Sequence, residues 1–432
     1  MPRAPRQPVP APDQVVPRLL TWFARHARDL PWRHTTDPYA VWIAEVMLQQ
    51  TQVATVIPYW RRWMSVLPDI ATLANAPTAD ILKLWEGLGY YSRARHLQSA
   101  ARRILSEFQG SFPDSLPALL DLPGIGRYTA GAIASTAFNS PAPILDGNVI
   151  RVLTRLHALP GNPRDRTLNS HLWDLAISLV QNAGSIPQHS VPTPAPPIRL
   201  AGPCSQLNQA LMELGATTCT PRAPACLSCP LTDLCLAHAG GDPTRFPQTP
   251  PRPVITPRHL ATVLWCHRRR WLVRRRPDDA VNGGYWEFPN LEFSPDQDPA
   301  TTLARWLQLD PDHLQPAGTL RHSITRYRFT QHLFHLKSTR GSRDHETPSP
   351  PLLPGSSRGH ETPSPPSPLP RGSRGHETPS PPSPLPRGSR GHETPSPSPA
   401  AEWRWVSPAE LAQLPLTAAH RRIVSRLLPP IA

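Results

Sequence analysis

The chain has 432 residues, 60 of them proline, and its 45 Lys and Arg against 31 Asp and Glu give a formal net charge of +14. That length suits two or three domains, and the charge suits a polyanion or an acidic membrane surface without specifying a fold. No long apolar run and no basic-then-apolar leader is present, which argues against a membrane span and leads us to expect an intracellular, cytoplasmic protein. Four of the six cysteines crowd between Cys219 and Cys235, which favours a metal site over disulfides in such a chain.

Residues 1–12 are Pro-rich and expected to be disordered. A first helix is expected from about Asp13 to Arg28, with Leu19, Leu20 and Phe23 on one face, and Leu30–Arg33 ends it. Asp37 and Pro38 then supply an N-cap and a first-turn proline for a helix of about Pro38 to Thr55. Within that helix Glu45 sits amid Val41, Trp42, Ile43, Val46, Met47 and Leu48. Either it faces water, or burial raises its pKa and keeps it protonated as a general acid. Further helices are expected at about Ile57–Leu67, Thr78–Trp85, Tyr91–Phe108, Pro117–Leu122 and Arg127–Phe138. Between them, Trp85–Arg95 is a glycine-containing turn flanked by aromatics and arginines. It suits stacking on bases and holding phosphates, or else ordinary packing of Leu88 and Tyr90.

The stretch Leu122–Ile133 is a glycine hairpin running into a small-residue helix. Gly124-x-Gly126 lets the chain turn tightly and lets a phosphate approach the N–H groups opening the next helix; the bland alternative is a plain helix connection. Asp146 is an N-cap for the following helix, or a carboxylate that stabilises positive charge at a reacting sugar. Residues 182–203 lack periodicity and are expected to be a loop insertion, followed by a helix from Ser205 to Leu214 that carries Asn208. Next come Cys219, Cys226, Cys229 and Cys235. Four thiolates satisfy a tetrahedral zinc or a four-iron cluster, and spacing this uneven differs from paired CxxC zinc knuckles and favours a [4Fe-4S] cluster. Cys204 and Cys266 are spectators. Such a cluster need not do redox chemistry; electron transfer and sensing remain the alternatives.

A Pro-rich connector is expected at 241–258, and beyond it the pattern turns to strands. Leu260–Cys266 and Trp271–Arg275 suggest a hairpin around His267–Arg270. Gly284–Pro289 is a turn and strand edge, Ala300–Leu309 a helix, and Arg321–Leu336 a strand-like stretch. In 340–400 the string His-Glu-Thr-Pro-Ser-Pro recurs at His345, His360, His376 and His392, a composition that builds no core and is expected to be disordered. Foldable sequence resumes at Glu402–Val406 and Ser407–Leu428, so the repeat tract reads as an insertion within the second domain.

Taken together, Leu30–Arg33, Glu45–Val53, Trp85–Ser92, Leu122–Thr129, Ile144–Val149, Asn208–Gly215 and the four cysteines resemble the MutY adenine DNA glycosylases, of the endonuclease III superfamily of helix-hairpin-helix base-excision enzymes. The resemblance implies a mainly α catalytic region and a C-terminal α/β Nudix-like domain. The catalytic region combines a six-helix domain with a helix-hairpin-helix (39–146) and a helical iron-sulfur domain (13–38 and 147–240), and the Nudix-like domain covers 259–339 and 401–432. It implies excision of adenine mispaired with 8-oxoguanine or guanine in double-stranded DNA by a nucleoid-associated monomer.

Residue by residue, Glu45 would protonate the adenine, Asp146 would stabilise the sugar cation, and Tyr128 and Asn208 would orient the chemistry. Cys219, Cys226, Cys229 and Cys235 would hold one [4Fe-4S] cluster. Trp32 and Arg33 would line the adenine pocket, and Gln50 and Tyr90 would enter the vacated stack. DNA contacts would also involve Gln49, Thr51, Leu88, Gly124, Gly126, Arg127, Asn148 and Arg151. Bifunctional relatives have lysine where Tyr128 stands, and a phenol forms no Schiff base, so little lyase activity is expected. Gly284–Pro289 matches the lesion-reading domain, without an Arg-Glu-x-x-Glu-Glu metal box after it. The family's Phe-Ser-His motif is replaced by Ile324, Thr325 and Arg326. A bifunctional glycosylase/lyase on oxidised pyrimidines and a non-catalytic DNA-binding iron-sulfur protein are the alternatives.

Overall fold

The structure is a computed structural model and describes residues 9–250, 254–324, 326–337 and 402–427. Residues 1–8, Thr325 and the repeat tract lie outside the described residues. The chain divides into two compact units, the first running to Thr256 and including Gln413–Arg422, the second built on Pro257–Ala412.

The first unit is helical. α1 (Pro12–His26) opens on a first-turn proline and buries the stripe Val15, Val16, Leu19, Leu20, Trp22 and Phe23. α2 (Pro38–Leu48) is apolar on every side and buries each residue from Tyr39 to Met47. It stops at Leu48, not Thr55, and Gln50 adopts a left-handed φ of 57° that no helix continues through. α3 (Val53–Val66) therefore starts earlier than the apolar spacing suggests. α4 (Ile70–Asn75) was not expected; it is too short for periodicity to register and is set by its cap, Asp69 Oδ1 accepting from Thr72 N at 2.7 Å. The chain goes on through α5 (Thr78–Trp85), α6 (Ser92–Glu107), α7 (Leu116–Asp121), α8 (Arg127–Phe138), α9 (Gly147–Leu156), α10 (Arg166–Gly184), α11 (Pro203–Thr217) and α12 (Leu236–Ala239).

α11 is the hub, packed against α1, α8, α9 and α10. Its near approach to α9 depends on Gly215, where a Cβ would fall 2.6 Å from the Asn148 Cβ. Leu207, Leu211 and Leu214 of α11 share one core with Leu19 and Phe23 of α1, Leu153 and Leu156 of α9, and Leu172 and Val180 of α10. The expected insertion at 182–203 is shorter than its composition suggests, because α10 runs through Gly184 and α11 takes in Pro203. What remains is fastened down: Gln206 Nε2 donates to the Pro192 carbonyl at 2.7 Å and Arg199 N to the Arg33 carbonyl at 2.8 Å.

Among the described residues, the second unit has two four-stranded sheets. Strands β1 (Thr256–Leu264), β5 (Asn290–Phe293), β6 (Leu314–Ile324) and β7 (Tyr327–Leu336) lie in the order β5-β1-β7-β6, with α13 (Pro299–Leu307) packing Leu303, Ala304 and Leu307 on Ala261, Val263 and Phe334. The stretch Arg321–Leu336 thus holds the end of β6 and all of β7, with Ile324 paired to Tyr327. β2 (Cys266–His267), β3 (Arg270–Arg275), β4 (Trp286–Glu287) and β8 (Trp403–Val406) make the other sheet. The β2–β3 hairpin forms where the alternation indicates, and Leu272 of β3 pairs with Trp405 of β8 from beyond the repeat tract. α14 (Pro408–Gln413) and α15 (Ala418–Leu427) follow. No helix among the described residues is long and apolar enough to cross a membrane.

Candidate active site

Because α2 has no polar face, Glu45 cannot turn to water; it is 8% exposed. Its carboxylate accepts one hydrogen bond, from the Tyr128 hydroxyl to Oε2 at 2.8 Å, and that same hydroxyl lies 3.3 Å from Met212 Sδ. Burial lifts the Glu45 pKa to about 7; the Tyr128 hydrogen bond works against this, the Asp146 charge adds to it and Arg33 subtracts. The same burial and the two carboxylates hold the Tyr128 phenol well above its ordinary value, so it stays a neutral donor.

The glycine hairpin delivers Tyr128. Gly124 takes φ of 77° and passes so near His96 that a Cβ would sit 2.6 Å from the His96 Cβ. Gly126 caps α8 with nothing within 4 Å of the place a Cβ would take, and the first N–H groups of the helix have no partner within it. Arg127 is exposed, and its guanidinium lies 3.7 Å from the Trp173 ring centroid.

Both readings of Asp146 hold at once. It caps α9, Oδ1 accepting from Val149 N at 2.8 Å, and Oδ2 accepts from Asn148 Nδ2 at 2.9 Å. Burial raises its pKa while these hydrogen bonds lower it, and its charge is felt at Glu45. Asn148 is in turn held by Arg151 Nη2 at 2.8 Å, and Arg151 also donates to the Gly215 and Cys219 carbonyls, each at 2.7 Å. Asn148 and Arg151, the residues also expected to touch DNA, are half-buried, and these hydrogen bonds brace the site. Asn208 is internal: both Nδ2 hydrogens are taken, by Ser135 Oγ and the Ala142 carbonyl at 2.8 Å each, so it ties α11 to α8 and to the loop before Asp146.

The residues expected to enter the DNA stack are conformationally unusual. Gln50 and Tyr90 have φ of 57° and 46°, strained for side-chain-bearing residues, and Tyr90 is 46% exposed whereas Leu88 is buried. A buried arginine holds both turns. Arg93 Nη1 donates to the Val46, Met47 and Gln49 carbonyls at 2.6, 3.2 and 2.7 Å, and Nη2 to those of Leu88 and Gly89 at 3.2 and 2.9 Å. Arg93 is therefore not one of the phosphate-holding arginines suggested by the 85–95 stretch. Gln49 Nε2 reaches Thr129 Oγ1 at 3.3 Å, and Thr51 Oγ1 reaches the Gln49 carbonyl at 3.4 Å. Trp32 is buried with its edge toward Trp60, and Arg33 beside it is buried as well.

The cysteine loop is organised by Arg155, whose guanidinium is 3.4 Å from Cys219 Sγ and donates to the Thr220 and Pro221 carbonyls at 2.7 and 2.9 Å, while Cys235 Sγ contacts the Arg155 carbonyl at 3.4 Å. Burial raises the Cys229 thiol to about 12, and the neighbouring Cys219, Cys235 and Cys226 add to the rise, so the four sulfurs lie within electrostatic reach of one another. Among the described residues no three His, Cys, Asp or Glu groups are arranged to hold a single metal ion.

In the second unit, Glu287 of the Gly284–Pro289 segment is buried and paired with two arginines, Arg274 Nε to Oε1 at 2.8 Å and Arg276 Nη1 to Oε2 at 2.7 Å. At the β6–β7 turn Ile324 is exposed, and the guanidinium carbons of Arg326 and Arg258 each lie 5.1 Å from the Tyr327 ring centroid. Arg93, Arg155, Gln209, Met212 and Glu213 escaped the sequence reading as site-building residues. The available signal was polar residues at i, i+4 along helices that are otherwise apolar.

Residues 43–176 match the HhH-GPD superfamily of base excision DNA repair proteins, and residues 260–358 match the NUDIX domain. The chain is similar to the adenine DNA glycosylase of Rattus norvegicus, at 36% identity over 78% of this chain and 72% of that protein. It is likewise similar to the adenine DNA glycosylase of Mus musculus, at 35% over 74% and 69%, and to that of Homo sapiens, at 33% over 78% and 68%.

Proposed function

Since the chain belongs to the adenine DNA glycosylases, of the HhH-GPD superfamily with a C-terminal Nudix-fold domain, we propose that it hydrolyses the glycosidic bond of adenine mispaired with 8-oxoguanine or guanine and leaves the strand uncut. The observation that carries this reading is the Tyr128 hydroxyl on the buried Glu45 at 2.8 Å. A phenol occupies the place from which an amine would attack the sugar, and the carboxyl beside it has a pKa of about 7 and accepts no hydrogen bond from a cation.

The target adenine must leave the stack, and mispairing lowers the cost of extrusion. The glycine turn at the start of α8 suits a backbone phosphate, and the strained Gln50 and Tyr90 suit filling the gap. Protonated Glu45 gives its proton to the adenine ring, the bond from the ring nitrogen to the sugar carbon breaks, and the electron pair leaves with the base. Asp146, whose carboxylate accepts two hydrogen bonds, offsets the positive charge that develops on the sugar until water adds to it and gives its proton to the Glu45 carboxylate. Asn148, Arg151, Tyr128 and Asn208 position these groups.

Cys219, Cys226, Cys229 and Cys235 are the residues that would hold a [4Fe-4S] cluster. The support for this reading is four soft sulfur ligands on one short loop, near enough to act on one another electrostatically. When bound, such a cluster cross-links the loop that Arg155 pins. We assign reading of the opposite base to the segment Ile324, Thr325 and Arg326, which precedes Tyr327, a ring bearing the guanidinium groups of Arg258 and Arg326. The missing metal box and the two arginines on Glu287 support recognition, not nucleotide hydrolysis, by this unit.

The test is incubation with an adenine:8-oxoguanine duplex, with and without alkali. Adenine release with strand scission only after alkali is expected. Efficient scission without alkali, trapped in high yield by borohydride, would show a lyase instead.

A further inference from the structure

Along α11, Ser205, Gln209 and Glu213 follow at four-residue intervals and form a buried polar ladder on one side of the helix. Glu213 is 1% exposed, and its carboxylate is fully engaged. Oε1 accepts from Arg28 N at 3.0 Å and Arg28 Nε at 2.7 Å, and Oε2 from Arg28 Nη2 at 2.9 Å and Arg33 Nη2 at 3.0 Å. Arg33 completes its fork by donating from Nη1 to the Arg28 carbonyl at 3.0 Å and from Nε to Gln209 Oε1 at 2.9 Å. The Phe23 ring lies beneath its guanidinium at 5.1 Å. Arg28 has a half-wet side chain, but Arg33 does not, so Glu213 is the counter-ion that makes a buried Arg33 tolerable. Arg33 in turn sets the Gln209 amide, since an arginine can donate only to its oxygen end.

We propose that Glu213 is a positioning residue for the adenine pocket: by clamping Arg28 and Arg33 it fixes Arg33 on Gln209 and balances the charge that Arg33 presents toward Glu45. The inference rests on Glu45 being the acid. The charged and titratable groups facing Glu45 are Tyr128 from α8, Asp146 at the start of α9 and Arg33 from the 3-10 turn Pro31–Arg33. Two guanidinium groups and one carboxylate leave the clamp at net +1, so losing the carboxylate charge raises it to +2 and losing Arg28 lowers it to zero. More positive charge near Glu45 favours its carboxylate and lowers its pKa; less raises it.

The experiment is the pH profile of single-turnover adenine release by the full chain carrying Glu45→Gln, Glu213→Gln or Arg28→Met, with substrate affinity measured alongside. Glu213→Gln is expected to move the alkaline limb about one pH unit toward acid, and Arg28→Met to leave it in place or move it toward base. A change in both variants toward acid, or a uniform drop in Glu213→Gln with the limb unmoved, overturns the proposal. If Glu213→Gln does not fold, Arg28→Met decides alone, a limb moved toward acid being the adverse result. An alkaline limb that survives in Glu45→Gln defeats the assignment of Glu45 itself. A limb abolished there but fixed in Glu213→Gln defeats only the clamp.

Discussion

Each unit of the molecule buries a glutamate on a strand or helix that offers it no water, and the two are treated in opposite ways. Glu287 receives Arg274 and Arg276, one on each oxygen. Glu45 receives a phenol, with another carboxylate near enough to oppose its ionisation. Burial alone therefore does not mark a chemical group. A buried carboxylate bonded to two cations is a strut, whereas one that a phenol bonds and only a more distant guanidinium charge reaches stays poised to carry a proton.

The largest break in this contrast is Glu45→Gln, which keeps the shape and removes the proton. Adenine release at neutral pH is expected to fall by about 10²–10⁴-fold, and a loss of less than tenfold would deny Glu45 the role of acid. The wild-type rate is expected to be flat on the acid side of pH 7 and to decline above it, because only the protonated carboxyl, with its pKa of about 7, is competent. Stability carries the same sign. A folded pKa raised from 4.5 to about 7 gives a contribution that is full below 4.5 and is lost as pH rises through 7; it is on the order of 3 kcal/mol. Urea unfolding at pH 5 and pH 8 should therefore show a greater loss for wild type than for Glu45→Gln.

Asp146→Asn removes the charge opposite the developing sugar cation but can still accept from Val149 N. Release is expected to fall by roughly 10²–10³-fold with binding of mispaired duplex retained. Unchanged release would overturn the assignment of Asp146. Glu287→Gln should do the reverse of both: it leaves two half-buried cations without their charge partner and destabilises the second unit by about 2–3 kcal/mol, read by thermal unfolding. The alkaline limb of adenine release should not move, and a moved limb would make Glu287 more than a strut.

How far the sequence shows this contrast depends on what periodicity can see. The hairpin Leu122–Ile133, the helix that follows it and the β2–β3 turn are local patterns, and they form where the residues indicate. The burial of Glu45 is tertiary. Nothing in Val41–Leu48 says whether the whole circumference of α2 is covered, and only the surrounding helices decide it. Arg93 misleads for a related reason: arginine beside glycine and tyrosine looks like a phosphate contact until its carbonyl partners, brought in from the end of α2, are known. Asn208 and Glu213 stand within a recognisable stretch, but their partners lie some 65 to 185 residues away in the chain, and spacing along one helix carries no word of them.

The finest probe of the contrast is the single hydrogen bond that Glu45 does receive. Tyr128→Phe keeps the ring in its place on α8 and removes only the hydroxyl. Because that hydrogen bond favours the ionised carboxylate, its loss should raise the Glu45 pKa and carry the alkaline limb toward higher pH. The rate near neutral pH is expected to fall by about tenfold or less, the equivalent of one ordinary hydrogen bond, since more acid is protonated but it is less well aimed. A limb that moves to lower pH would mean that the phenol stabilises the protonated form, and Tyr128 would then be an acceptor from Glu45, not a donor to it.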